Sequence, residues 1–216
     1  MRILFIGNSY TYYNAMPTLF ESLANDNGKE ITVDAVTKGG RRLIENTVDG
    51  DENSDRISDL LSNGEYDVLI LQEQSCTPLT DYMLFLDGVQ SLVRKVSPKR
   101  CVLYATWGRK DGAEKLHELG LTSLGMTLGL EMAYSRAAQK IAADVAYVGR
   151  AFAATEAEHP ELELYNPDGS HPSEIGSVLA ALVIYRTVFG EVPSNTEAIN
   201  IDGWIVDILK EIADGL

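Results

Sequence analysis

Cysteine, histidine and tryptophan are all scarce in this 216-residue chain, at two, three and two residues. Cys76 and Cys101 have no CxxC spacing and cannot staple a chain of this length, so a disulfide scaffold is excluded and two free, partly buried thiols are expected. His117 stands beside Glu118 in a helical stretch and His159 in a polar loop before Pro160. Neither has a partner at metal-ligand spacing, and there is no HExxH or Cys/His cluster. No metal and no cofactor are expected.

Positive charge is also in short supply. Eighteen Lys and Arg face 32 Asp and Glu, for a formal charge of −14. An acidic surface repels phosphate backbones, which argues against nucleic acid as a partner. It also disfavours strongly anionic substrates unless a local basic group offsets it. Long apolar runs are missing too. Nothing approaches the ~20 residues of a membrane span, and the leading run Ile3-Leu4-Phe5-Ile6 is too short for a signal core and has no small-residue cleavage site behind it. A cytoplasmic location is the default expectation, although a chain trimmed of its leader would read the same. Three catalytic signatures are absent: the Gly-x-Ser-x-Gly elbow, the Walker A loop, and a Gly-x-Gly-x-x-Gly turn after the first strand.

What is present is ordinary globular composition, 45% hydrophobic and 23% charged, in a length suited to a single α/β domain over residues 1–216. Short apolar runs alternate with helical patterns, as in βαβ units. Strands are expected at 3–6, 31–36, 68–71, 101–105 and 145–148. Helices are expected at 15–27, through Arg56 and Leu60 to Gly64, and at 82–96, 124–143, 173–188 and 205–213. Val68-Leu69-Ile70-Leu71 is continuously apolar, as a strand covered on both faces requires. The pattern gives a three-layer α/β/α sandwich around a mostly parallel sheet of about five strands. Ligands in such sheets bind beyond the carboxyl ends of the strands, so function belongs in the segments that follow them.

The first such segment is Gly7-Asn8-Ser9-Tyr10-Thr11, a turn off the first strand with a serine at a helix entrance. Alone it is weak evidence for a nucleophile, because a helix-capping serine or a phosphate-binding turn explains it better. The loop before the Ser173 helix reads Asn166-Pro167-Asp168-Gly169-Ser170-His171-Pro172. A plain turn explains its Asp, Gly and Pro but does not ask for histidine. An Asp-x-x-His turn supplies a base together with the carboxylate that fixes its tautomer.

These two blocks, Ile3 to Thr11 and Asp168 to Ser173, resemble the first and last blocks of the SGNH hydrolases, the GDSL-like esterases and lipases. The nearer likeness is to the bacterial subgroup whose first block reads Gly-Asn-Ser. The resemblance implies Ser9 as nucleophile and His171 and Asp168 as its triad partners. It also implies an oxyanion hole built from the Ser9 N–H, a glycine after the second strand and an asparagine after the third. Gly39-Gly40 fits the glycine, with Gly40 the expected donor. No asparagine follows the third strand, where the chain reads Gln72-Glu73-Gln74-Ser75. Gln74 holds the matching place, with Gln72 the alternative. Weaker candidates for substrate contact are Tyr10, Trp107 and Arg109, which lie on the same rim, although packing explains Trp107 equally well and a surface role suits Arg109 better.

The expectation is a serine esterase that cleaves a small acyl ester through an acyl-enzyme, with O-acetyl on a carbohydrate favoured. Two rivals remain: a catalytically silent protein of the same fold, and a flavodoxin-like module that binds a phosphate ligand. The partner expected is a small-molecule or saccharide ester. Oligomeric state is not legible.

Overall fold

The computed structural model describes residues 1–216. Five strands, β1 (Arg2–Gly7), β2 (Thr32–Thr37), β3 (Val68–Leu71), β4 (Arg100–Ala105) and β5 (Asp144–Tyr147), form one all-parallel sheet in the order β2-β1-β3-β4-β5. The expected α/β/α sandwich is therefore the one observed. Within it, side chains alternate between two cores as the period of a strand dictates. Ile3 and Phe5 of β1, and Val68 and Ile70 of β3, enter one core; Leu4, Ile6, Leu69 and Leu71 enter the other. Since both faces are covered, β3 reads as an unbroken apolar run.

Ten helices connect and cover these strands. On one face, α2 (Met16–Asp26), α8 (Val148–Glu158), α9 (Glu174–Phe189) and α10 (Gly203–Asp214) pack over the first core. On the other lie α3 (Glu52–Ser62), α5 (Tyr82–Val96) and α7 (Ser123–Ile141). Helix α9 is apolar nearly all round because it is nearly all buried, the case in which a helix loses its amphipathic signature. The remaining three, α1 (Ser9–Tyr12), α4 (Thr77–Thr80) and α6 (Glu114–Leu119), are single turns to a turn and a half on the loops.

Several expectations shift. Helix α8 has no counterpart in the sequence reading: it starts directly at the end of β5 with no turn residues between, and its Ala-rich segment shows little periodicity. Helix α7 ends at Ile141 because Ala142 adopts the left-handed conformation. The helix placed at 15–27 starts at Met16, behind the separate turn α1 and two left-handed residues, Asn14 and Ala15. Cys76 and Cys101 are buried free thiols, as expected. No helix is long and apolar enough to cross a membrane.

Strand order reverses between β1 and β3, so their carboxyl ends open a crevice where the connections leave in opposite directions. Ser9 stands just beyond β1 and Gln74 just beyond β3. Helix α9 is buried along most of its length, so Leu182→Ala, which hollows a fully buried site, is expected to destabilise the protein by about 2–5 kcal/mol. A lowered urea midpoint with an unchanged slope would record it; a loss below 1 kcal/mol, roughly, would mean the helix is not part of the cooperative core.

Candidate active site

The chain turns off β1 at Gly7, where a side chain is impossible: a Cβ there would stand 2.3 Å from Thr11 Oγ1 and 2.8 Å from Gln72 Oε1. Asn8 then caps α1, its side-chain oxygen accepting from the Tyr10 N–H at 3.2 Å. The capping reading thus belongs to Asn8, and the Ser9 hydroxyl is left for another partner. That partner is His171, whose Nε2 lies 2.9 Å from Ser9 Oγ. On the other side of the ring, Nδ1 lies 2.5 Å from Asp168 Oδ2. The three predicted residues, drawn from opposite ends of the chain, form one hydrogen-bonded row.

Asp168 serves two ends at once. Its Oδ1 accepts from the backbone N–H groups of Ser170 and His171, both at 2.9 Å, closing the turn, while Oδ2 meets the imidazole. Burial pushes its carboxyl up, but these hydrogen bonds outweigh that and hold it below the usual carboxylate range. One side chain therefore both closes the turn and meets the imidazole, so the turn-forming reading of this loop does not compete with a role at His171. Ser173 caps α9 immediately downstream, accepting from the Gly176 N–H at 3.1 Å.

A cavity of about 260 Å³ opens over this row. Gly40, Gln74, Tyr10 and Arg109 are all on its wall; of the expected site residues, Gln72 and Trp107 are not. Gln72 lies beneath the nucleophile turn: its Oε1 accepts from the Asn8 N–H at 2.9 Å and from Thr11 Oγ1 at 2.8 Å, and its Nε2 donates to the Glu73 carbonyl. It supports the turn from below, is buried and does not reach the cavity wall, whereas Gln74 does. The Gln74 carbonyl oxygen accepts from the Cys76 and Thr77 N–H groups at 2.8 and 3.1 Å. Those partners can only donate, so the amide orientation is fixed and Nε2 is the unengaged end. The N–H groups of Ser9 and Gly40 also make no intramolecular hydrogen bond.

Trp107 corrects a second expectation. It has no exposed surface and cannot stack on a substrate; it is sandwiched between Tyr10, with centroids 4.7 Å apart, and Phe152, at 4.0 Å. Its Nε1 donates to the Ser170 carbonyl at 3.1 Å, so it braces the His171 loop from within. Tyr10, itself 4% exposed, meets Ser170 Oγ through its hydroxyl at 2.6 Å and shows the cavity little more than an edge.

Two residues here, Asn14 and Glu73, escaped the sequence reading, while Tyr13 crowds the nucleophile turn as the run of tyrosines after Ser9 suggests. Tyr13 lies flat against the His171 ring at 4.4 Å. Asn14 sends its amide to the Pro172 and Ser173 carbonyls at 3.2 and 2.9 Å, and asparagine is a residue type that tolerates the left-handed backbone it adopts. Glu73 is buried completely and accepts from the Gln74 N–H at 2.6 Å and the Leu43 N–H at 3.2 Å. Only the oddity of an acid directly after an apolar strand could have drawn attention to it.

Burial pushes the Glu73 carboxyl up to about 8, although the two N–H groups and the charge of Arg42 pull the other way. A carboxyl raised above its unfolded value keeps a proton that the unfolded chain releases. Its stabilising contribution is therefore complete below the unfolded value and is lost as pH rises to the folded one. Urea midpoints followed from about pH 5 to about pH 8 should fall more steeply for the wild type than for Glu73→Gln. Parallel curves would show that Glu73 titrates normally.

No protein-family model matches the sequence, and no curated protein does. Solved structures do. A protein from Slackia heliotrinireducens assigned to the SGNH hydrolases is 34% identical, over 87% of this chain and 98% of that one, at a TM-score of 0.76. A DUF4886 family protein from Bacteroides uniformis superposes at 0.81 over 100% of this chain and 93% of its own, at 18% identity. An acetylxylan esterase from Geobacillus stearothermophilus shares the fold at 0.63, covering 90% of this chain and 97% of that one, with 14% identity. The sequence resemblance carried by Ser9 and His171, the five-stranded parallel sheet and the relative at 34% identity agree, and the chain belongs to the SGNH hydrolase superfamily.

Proposed function

We propose that this chain is a serine esterase acting on a small acyl ester, with Ser9 as nucleophile, His171 as general base and acid, and Asp168 as the group that orients His171. The observation that carries this reading is the unbroken row from Ser9 Oγ to His171 Nε2 and from Nδ1 to Asp168. Every heavy-atom separation in it is within reach of proton transfer.

In the first half-reaction His171 takes the Ser9 proton as Oγ attacks the ester carbonyl. Negative charge moves to the carbonyl oxygen, where the free N–H groups of Ser9 and Gly40 and the Gln74 amide are the donors available. His171 then protonates the leaving alcohol, and the acyl group stays on Ser9. In the second half water repeats the sequence: His171 removes its proton, the acid departs and Ser9 recovers its hydrogen. Asp168, held ionised by its hydrogen bonds, favours the imidazolium formed in each half.

Nine of the ten residues on the cavity wall are polar, charged or glycine, and Tyr10 is the exception. Such a lining favours a short acyl group on a hydrophilic alcohol over a lipid. O-acetyl on a carbohydrate fits that lining, and the acetylxylan esterase that shares this fold is named for an activity of that kind. The stacking platform expected of Trp107 plays no part in this argument. Tyr12, 41% exposed, is the aromatic left at the surface of the nucleophile turn.

Intact-protein mass spectrometry after incubation with a fluorophosphonate tests the assignment. One adduct is expected on the wild type and none on Ser9→Ala; a folded wild type that takes no adduct would point to a silent member of the superfamily instead. Asp168→Asn should keep the fold but slow ester turnover by a factor on the order of 10³–10⁴, because the imidazole loses its tautomeric and electrostatic partner. A loss under about tenfold would remove Asp168 from the machinery.

A further inference from the structure

The cavity contains one positive charge that the steps above do not use. Arg109 follows β4, is half-buried, and lies on the wall next to Ser75. Of its five N–H donors only one is engaged, in a long contact from Nη2 to Ser75 Oγ at 3.3 Å. Its Nε is buried with no acceptor, and no carboxylate lies within ion-pair distance of the guanidinium. Nearby cations are treated differently: Lys110 is paired with Glu163 and Arg150 with Glu131.

An under-satisfied guanidinium is costly where water is partly excluded. It is also unusual in a chain of charge −14, where carboxylates are plentiful. The local acids are turned elsewhere. Asp168 is occupied by His171 and its own turn, and Glu73 faces the N–H groups of Leu43 and Gln74. Arg109 thus offers the cavity a planar pair of donors, and the Ser75 hydroxyl stands beside them. A planar fork of this kind matches a carboxylate, whose two oxygens it can bind side by side. A single cation also balances a single negative charge, where a phosphate dianion would ask for more.

We propose that Arg109, with Ser75, is a specificity site for a carboxylate carried by the substrate, so that the ester this protein cleaves is a small anionic one. The proposal rests on the esterase reading of Ser9 and narrows it. The carboxylate can belong to the acyl half, as in a half-ester of a dicarboxylic acid, or to the alcohol half, as in an acylated uronic acid. Both present the same group to Arg109.

Two matched pairs of esters separate these sources: monoethyl succinate against ethyl succinamate, and an O-acetylated methyl glucuronoside against its glucuronamide. The ratio of kcat/KM within each pair is measured for the wild type, Arg109→Gln and Arg109→Lys. The wild type is expected to prefer the charged member of one pair by at least about tenfold, and that pair identifies the half that bears the carboxylate. In Arg109→Gln the ratio should fall to about one, with Arg109→Lys between, since it keeps the charge and loses the fork. No preference in either pair, or a preference that survives Arg109→Gln, overturns the proposal. If Arg109→Gln does not fold, the wild-type ratio and Arg109→Lys decide.

Binding of succinate to the Ser9→Ala protein, followed by titration calorimetry, separates this inference from the one beneath it. Succinate binding that requires Arg109, in a protein whose wild type cleaves no ester, would keep the anion site and reject the esterase. Turnover of neutral esters without charge preference would do the reverse.

Discussion

The meeting of Ser9 with His171 sets the demands on the rest of the molecule, because the two residues are separated by most of the chain and must lie within a fraction of an ångström of one geometry. Parallel topology does the coarse part. It puts β1 inside the sheet, and α9 packs beside α2 on one face, which brings the loop before α9 over the turn that follows β1. The fine part is done by side chains that reach across between the two segments. Tyr10 and Trp107 both end on Ser170, from its hydroxyl and its carbonyl. Tyr13 covers the face of the imidazole, and Asn14 ties down the carbonyls that follow it. Left-handed backbone at Asn14 and Ala15 costs roughly 1–2 kcal/mol per residue. The Asn14 bonds offset part of that, and the kink is what turns Tyr13 toward His171 before α2 begins.

Much of this was legible in the sequence where the constraint is local. Strands β3 and β4 and helix α5 follow from apolar runs and from Pro98, and the Asp168-to-His171 turn follows from three residues whose spacing suits one job. What was not legible is what depends on burial. Trp107 at a strand end looks the same in sequence whether it faces a sugar or a neighbouring ring; only Phe152, contributed by the unrecognised helix α8, decides the matter. Helix α8 itself was hidden because its Ala-rich segment carries little pattern and no turn precedes it. The left-handed Ala15 could not have been anticipated either, since alanine has no preference for that backbone.

The segment after β3 shows the same limit in finer detail. Two glutamines flank Glu73, and counting from the strand end favours Gln74 with Gln72 as the alternative; the fold divides them by which neighbours need acceptors. Gln72 is drawn down by the Asn8 N–H and the Thr11 hydroxyl, groups that the tight turn at Gly7 leaves facing it. Gln74 turns its oxygen to the start of α4, which frees its nitrogen toward the cavity. Each amide is oriented by donors that belong to a different element, so the distinction appears only once those elements are assembled.

Between the two glutamines, Glu73 ties together the segments that carry Gln74 and, through Leu43, the loop of Gly40. An anion in that place would work against the proposed chemistry, since it would lie behind the very donors meant to receive a developing negative charge. Burial resolves the conflict. By raising the carboxyl to about 8 it leaves Glu73 largely uncharged near neutrality, when it is still an acceptor for both N–H groups. A glutamine could offer its oxygen to the same N–H groups, whereas an aspartate would be a methylene shorter. A neutral glutamic acid, held neutral by the core it sits in, joins the two segments without opposing the charge that the proposed reaction would develop.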